Sequence, residues 1–428
     1  MSLRKKVFLA VMGTVIVSLM AGAGIVEAKT TVTFWTPGDV GVRVAEVQGR
    51  FEEEHPNIKL EVVRMGYGDQ HRKIVTAAMA GMGAPDCFWA GTRRALAYIR
   101  LGAVIDLTEE VTPLKEDISE AFLVDFTDEG RIWGFPWDGG AATVFYRKEA
   151  FDKAGLKFPD TWDGFIEVGK KLAVDNDGDG EIDQYMLAIP TKDTPSYLRG
   201  FVQSKGFALQ NKAGDFLLTQ PGVVETAQWM TDLALKHKIV EVCEGTNPQD
   251  PSYWAAMKEG RYLCEMRGQW IMGWGLENLG YNSEHEWRAA STGWLSWEKD
   301  KRTGATWGGA GLMISNQTEH PEETLAAARY FCTTEEYQVW ACKNYAQLPT
   351  FKPAWDIVRE LSVPFLGGQK AWEIWFDELE VTPPITYAPD RTCIDQAFGG
   401  LAFDMLSGKI SVADAMAEIQ KQAESLAK

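Results

Sequence analysis

The residues best suited to chemistry stand together in DNDGDGEIDQY, Asp175 to Tyr185, where five acidic side chains and two glycines share eleven positions. Asp175, Asp177, Asp179 and Asp183 occupy positions 1, 3, 5 and 9 of a calcium-loop spacing, Gly180 takes the turn at 6, and Glu181 can offer its carbonyl at 7. Position 12 is Met186, so the bidentate glutamate that completes an EF-hand is missing. Two readings stay open: a structural calcium clip, and a metal-free turn whose aspartates hydrogen-bond their own backbone.

Catalytic signatures are otherwise sparse. There is no GxSxG, HExxH, P-loop or GxGxxG pattern. The five histidines, His55, His71, His237, His285 and His320, are scattered without metal-ligand pairing. Acidic residues are numerous enough to leave a glycosidase-type carboxylate pair open, but spacing alone cannot place one. The expectation is a protein without catalytic activity and without an organic cofactor.

The aromatic residues carry the positive signal. A flat indole covers the C–H face of a pyranose at small entropic cost, and Asp, Glu, Asn and Arg can meet the hydroxyls at the ring edge. Of the 17 tryptophans, Trp35, Trp89, Trp137, Trp270 and Trp307 fall in expected loops and are stacking candidates. Trp162, Trp229, Trp340, Trp372 and Trp375 follow helical spacing and read as core. An acidic, indole-rich chain also suits a quaternary amine or polyamine.

Positioning such residues requires rigid elements. Val32 and Phe34 alternate with Thr31, Thr33 and Trp35 as in a strand, a Pro37-Gly38-Asp39 turn follows, and Arg43 to Glu54 has helical spacing. A second strand through Ile58, Leu60 and Val62, a helix through Ile74, Ala77 and Ala78, and a third strand over Asp86 to Ala90 complete a βαβ rhythm. The rhythm returns at ATVFYRKEAF and at PDTWDGFIEVGKKLAV, where Asp160 or Thr161 is the N-cap. Near the end, Ser411 caps a helix whose stripe is Val412, Met416, Ile419, Ala423 and Leu426. With no linker between the halves, two α/β lobes joined by structured crossings are expected, with a cleft between them.

Compartment and partners follow from charge. Arg4, Lys5 and Lys6, the apolar run Val7 to Ala21 and Val26-Glu27-Ala28 have the layout of a cleaved secretory leader, residues 1–28. No cysteine follows the run to carry a lipid, so a periplasmic or secreted protein is expected. The net charge of −17 makes nucleic acid and anionic membrane poor partners. Six cysteines, with no CxxC pair, permit up to three disulfides or buried free thiols; Cys332–Cys342 would close the smallest loop.

Six segments, in order, resemble the extracellular solute-binding proteins of ABC importers, in the sugar-binding group that includes maltose- and trehalose-binding proteins. They are VTFWTPGD…FEEEHPNIKLEVV, AAMAGMGAPDCFWAG, RIWGFPWDGGAATVFYRKEAFDKAGLKFPDTWDGF, AAMKEGRYLCEMRGQW, WGGAGLMISNQTEHPEETLAAARYF and GKISVADAMAEIQKQ. The resemblance implies an α/β periplasmic-binding-protein fold of type II, with two lobes, a central cleft, and three crossovers near Pro136–Ala142, Thr306–Leu312 and Gln347–Phe351 that serve as a hinge. One lobe would hold 29–137 plus 311–347, the other 138–310 plus 348–428. The implied role is capture of a small carbohydrate by a monomer and its delivery to the transmembrane subunits of an ABC permease.

Carried onto this chain, the resemblance implies hydroxyl-binding roles for Asp39 and Asp138 and a stacking role for Trp270. It also implies a tryptophan–glycine–glycine site at Trp307, Gly308 and Gly309, and an arginine near Arg391. Trp137, Arg64 and Tyr67 join the candidates. Acidic loops in the family, some with calcium, make Asp175, Asp177, Asp179, Glu181 and Asp183 a surface brace. Where many disaccharide binders place an acidic residue after the PD strand, this chain has CFWAGTRRA; if Arg93 faces the cleft, an acidic or phosphorylated sugar becomes an alternative.

Overall fold

The structure, a computed structural model, describes residues 29–211, 213–248, 250–272, 286–383 and 391–427. The expected leader lies outside the described residues, as do residues 273–285. No described helix is long and apolar enough to cross a membrane.

A six-stranded sheet organises the first lobe. Its strands are β1 (Thr30–Pro37), β2 (Ile58–Met65), β3 (Cys87–Gly91), β4 (Phe135–Gly139), β10 (Ala310–Ile314) and β11 (Leu348–Pro349), numbered in chain order with the small hairpin Thr127–Asp128 and Arg131–Ile132 left out, and ordered β11-β4-β10-β3-β1-β2. β1 pairs in parallel with β2 and β3, while β10 runs antiparallel to both β3 and β4. Alternation puts Val32 and Phe34 on one face, packed with Phe331 and Trp137. Trp35 joins Ile74, Phe88 and Tyr98 on the other.

The second lobe is built on β5 (Ala142–Arg147), flanked antiparallel by β8 (Cys264–Gly268) and β9 (Trp287–Ala289). A parallel pair, β6 (Leu187–Pro190) and β7 (Val240–Cys243), lies beside it. One core packs around Trp162, Phe201, Trp294 and the C-terminal helix Val412–Leu426. Another, around Tyr253, Trp287 and Trp375, reaches Phe122 and Leu348 and so continues into the first lobe.

Local expectations hold with instructive exceptions. Thr161, not Asp160, is the N-cap, accepting from Gly164 N–H at 3.1 Å. Ser411 caps the last helix as expected, accepting from Asp414 N–H at 3.1 Å, but Leu426 lies past the buried stripe and is 49% exposed. The expected turn at Gly38-Asp39 is already helix: α1 runs Gly38–Glu54 with Pro37 as N-cap. The small and capping residues there read as a turn, yet they fit a helix start equally well. All six cysteines are free and five of them are buried, so Cys332 and Cys342 are not joined. Burial pushes the thiols of Cys87, Cys264 and Cys332 well up.

Candidate functional site

The three segments expected to carry crossings lie side by side as β4, β10 and β11. Buried amide side chains tie them together. Gln269, fully buried, accepts from Ala141 N–H at 3.0 Å and donates to the Gly139 carbonyl at 3.0 Å. Trp307 N–H donates to the Gly140 carbonyl at 2.8 Å, and Ala142 N–H to the Ala305 carbonyl at 2.9 Å. Gln338 and Gln347 both donate to the Trp137 carbonyl, at 3.0 and 3.2 Å. The glycines are required by contact: a Cβ on Gly140 would meet the Trp307 carbonyl at 2.3 Å, and one on Gly268 would meet Trp270 Nε1 at 2.2 Å.

A cavity of about 1080 Å³ opens over these crossings, lined from both lobes. Asp39, Arg43, Tyr67, Trp89 and Arg93 line it on one side; Lys192, Asp193, Arg267, Gln269 and Trp270 line it on the other. Tyr345, Phe365 and Trp372 extend the lining.

The acids and bases differ in what they leave free. Asp39, in the first turn of α1, pairs with Arg43 at 3.1 Å. Asp138 follows the buried Trp137 at the end of β4, and loss of hydration raises its carboxyl to about 6; the Arg43 charge opposes the shift and the Asp39 charge adds to it. Beneath the cavity, Arg267, 4% exposed, donates through Nε to Glu265 at 2.7 Å and through Nη1 to Asp193 at 2.6 Å, while Tyr253 Oη donates to Glu265. Burial raises the Glu265 carboxyl, with the Arg267 charge opposing. This network braces the floor.

The aromatic candidates separate. Trp89 and Trp270 are partly exposed at the cavity; Trp270 Nε1 donates to the Trp307 carbonyl at 2.8 Å, which fixes its ring. Tyr67 sits edge-on to Trp89 at 5.8 Å under the Arg94 guanidinium. Trp307 lines the cavity but is only 5% exposed: Tyr197 meets its ring edge-on at 5.1 Å, and Arg267 lies 5.6 Å from the ring centre. Gly308 and Gly309, at φ +88° and +110°, carry the chain past Trp270 and line the cavity.

Two expectations need correction. Trp137 does not face the cleft; it is buried against Phe34 and Phe331, with Nε1 donating to Tyr337 Oη at 3.1 Å. The alternation of β4 turns Trp137 inward and leaves Asp138 on the cavity. Arg64 is exposed outside the cavity lining, its stem lying over Gly41. Arg93 lines the cavity, as the acidic-sugar alternative required, and its guanidinium contacts Ser196 and Asp395. The Arg391 side chain lies outside the described residues. Trp372, expected as core from its helical spacing, is 3% exposed in a core cluster and borders the cavity only at its edge. Arg267 and Gln269, missed as site residues, sit within the segment AAMKEGRYLCEMRGQW, where charge inside a fully buried strand was the available signal.

In the acidic loop, the carboxylates of Asp175, Asp177 and Asp183 come within 4.8 Å of one another; Asp179 and Glu181 are not in this group. Asp175 accepts from Gly178 and Gly180 N–H at 2.6 and 2.9 Å, and Asp183 from Asn176 N–H at 2.7 Å. Those backbone bonds hold the Asp175 carboxyl below its ordinary range.

Two lobes, bound crossings and an aromatic-lined cleft define a hinged solute receptor. The chain belongs to the family of bacterial extracellular solute-binding proteins, whose pattern matches residues 48–355. It is 26% identical over 343 residues to an arabinooligosaccharide-binding protein of Halalkalibacterium halodurans, covering 78% of this chain and 73% of that protein. It is 22% identical to a lactose-binding protein of Rhizobium radiobacter, covering 89% of each. Its fold is similar to that of the ABC substrate-binding protein Lmo0181 of Listeria monocytogenes in complex with cycloalternan, with a TM-score of 0.72, 20% identity, and coverage of 93% of this chain and 99% of that one.

Proposed function

We propose that the protein is the carbohydrate-binding subunit of an ABC importer, exported to the periplasm or cell exterior, where it captures a sugar between its lobes and delivers it to the membrane permease. The observation that carries this reading is the cleft of about 1080 Å³, with Trp89 and Trp270 at its surface beside Asp39, Arg43 and Asp138. Aromatic faces beside charged edges suit oligosaccharide rings and their hydroxyls. The relatives named for arabinooligosaccharide and lactose binding support the same class. The lobes divide at the three crossings, the receptor acts as a monomer, and it does not turn its ligand over.

Calcium is proposed as a brace in the acidic loop. Asp175, Asp177 and Asp183 would hold it with hard oxygen donors, remote from the cleft lining. The acidic-sugar alternative keeps its premise, since Arg93 lines the cavity, but Ser196 and Asp395 engage that guanidinium, which favours a neutral saccharide.

A thermal-shift screen with neutral oligosaccharides, sugar acids and quaternary amines tests the reading. Stabilisation by a saccharide is expected, since a ligand of the native state raises the midpoint. Stabilisation by amines alone, or release of smaller sugars during incubation, would overturn it.

A further inference from the structure

Arg93 stands at the first turn of the helix Thr92–Arg100, which follows β3 directly and so belongs to the six-stranded lobe. Thr92 N–H donates to the Gly309 carbonyl at 3.0 Å, anchoring that turn at a crossing. From there the Arg93 side chain reaches two helices beside the cavity. Its Nη2 donates to Ser196 Oγ at 2.6 Å, and its Nη1 lies 3.6 Å from Asp395 Oδ2. Both partners belong to the other lobe. Ser196 is on the helix Thr194–Ser204 and Asp395 on the helix Arg391–Phe398, and the adjoining Tyr197, Leu198 and Ile394 are buried in that lobe's core.

Asp395 is itself held: Arg199, 6% exposed, donates to its Oδ1 at 3.0 Å. The carboxylate is therefore oriented before Arg93 arrives, which reduces the ordering cost that usually cancels a surface ion pair. The planar guanidinium fork meets a hydroxyl and a carboxylate on two separate helices at once, a geometry that an ammonium does not reproduce. Arg93 also lines the cavity while Ser196 and Asp395 do not, so the contact joins the lobes at the edge of the space a ligand would occupy.

We propose that Arg93, Ser196 and Asp395 form an interlobe latch that biases the empty receptor toward its closed arrangement, making Arg93 a positioning residue for ligand capture. The Arg93 and Asp395 side chains are 37% and 29% exposed, so salt screens their attraction. A contact of this kind shifts the closed-to-open ratio by roughly two- to fivefold. That biases closure without locking it, as a receptor that must reopen at its permease requires. The latch goes beyond the carbohydrate reading and does not depend on what the ligand is.

Small-angle scattering of the ligand-free protein tests it. At low ionic strength, Arg93→Gln should have a larger radius of gyration than the wild type, and Arg93→Lys should fall between them. Raising salt to about 0.5 M should move the wild type toward Arg93→Gln and leave that variant unchanged. Equal melting midpoints would show that the fold is intact; if Arg93→Gln melts lower, Ser196→Ala provides the same readout from the opposite lobe. Equal radii for the wild type and a correctly folded latch variant at low salt overturn the proposal. No ligand is added, so failure of the carbohydrate reading would leave this result standing.

Discussion

A tryptophan can serve a sugar only through a face its neighbours leave free. Trp270 is partly exposed at the cavity, with its N–H donating to the Trp307 carbonyl, whereas the Trp307 ring is only 5% exposed and is enclosed by Tyr197, Trp294 and Arg267. Trp270→Ala should therefore weaken saccharide binding about 10- to 100-fold in calorimetry, with a small change in melting midpoint. Trp307→Ala should lower stability by about 3–5 kcal/mol in denaturant titration, as expected for removing a buried aromatic. Asp138 yields a prediction about pH. Its carboxyl is raised to about 6 in the fold, so the native state binds more protons than the unfolded chain between its ordinary pKa and that value. The empty protein should lose stability as pH rises through this window, and Asp138→Asn should flatten that part of the melting profile.

At the level of elements, local pattern and tertiary demand agree in some places and part in others. The capping oxygens of Thr161 and Ser411 are legible because each acts within three residues of its own position. The start of α1 is not, since Gly38 and Asp39 suit both a turn and a helix N-terminus, and packing decides between them. The acidic loop is similarly two-sided: its spacing fits calcium, while its carboxylates also accept from their own backbone. Calcium should raise the melting midpoint of the sugar-free protein, and Asp175→Asn should abolish that rise. Saccharide affinity should be unchanged by chelation, because the loop residues do not line the cavity. Unchanged melting of the wild type with calcium would leave the loop as a metal-free turn.

For the whole molecule, the proposed capture requires the lobes to move about crossings that are tied together by buried hydrogen bonds. Gln269, Gln338 and Gln347 satisfy the buried backbone at those crossings, so motion has to be shared among a few φ/ψ changes rather than spread through the sheets. Saccharide binding should contract the molecule, read as a smaller radius of gyration in scattering, and the contraction should be weaker in Trp270→Ala at subsaturating ligand. Equal scattering with and without a saturating saccharide would count against hinge capture. By itself the sequence determined the alternation of strands and helices, the lobes expected from it, and the resemblance that pointed to a solute receptor, because hydrophobic period, caps and ordered motifs are local properties of the chain. Only the tertiary structure decided which tryptophans are partly exposed at the cavity, that Arg93 reaches Ser196 and Asp395 rather than standing free, and that Arg267 and Gln269 form the floor. These depend on groups far apart in the chain meeting in the fold, Arg267 and Asp193 at a separation of 74 residues, Arg93 and Ser196 at 103, Gln269 and Gly139 at 130, and no local spacing encodes those meetings.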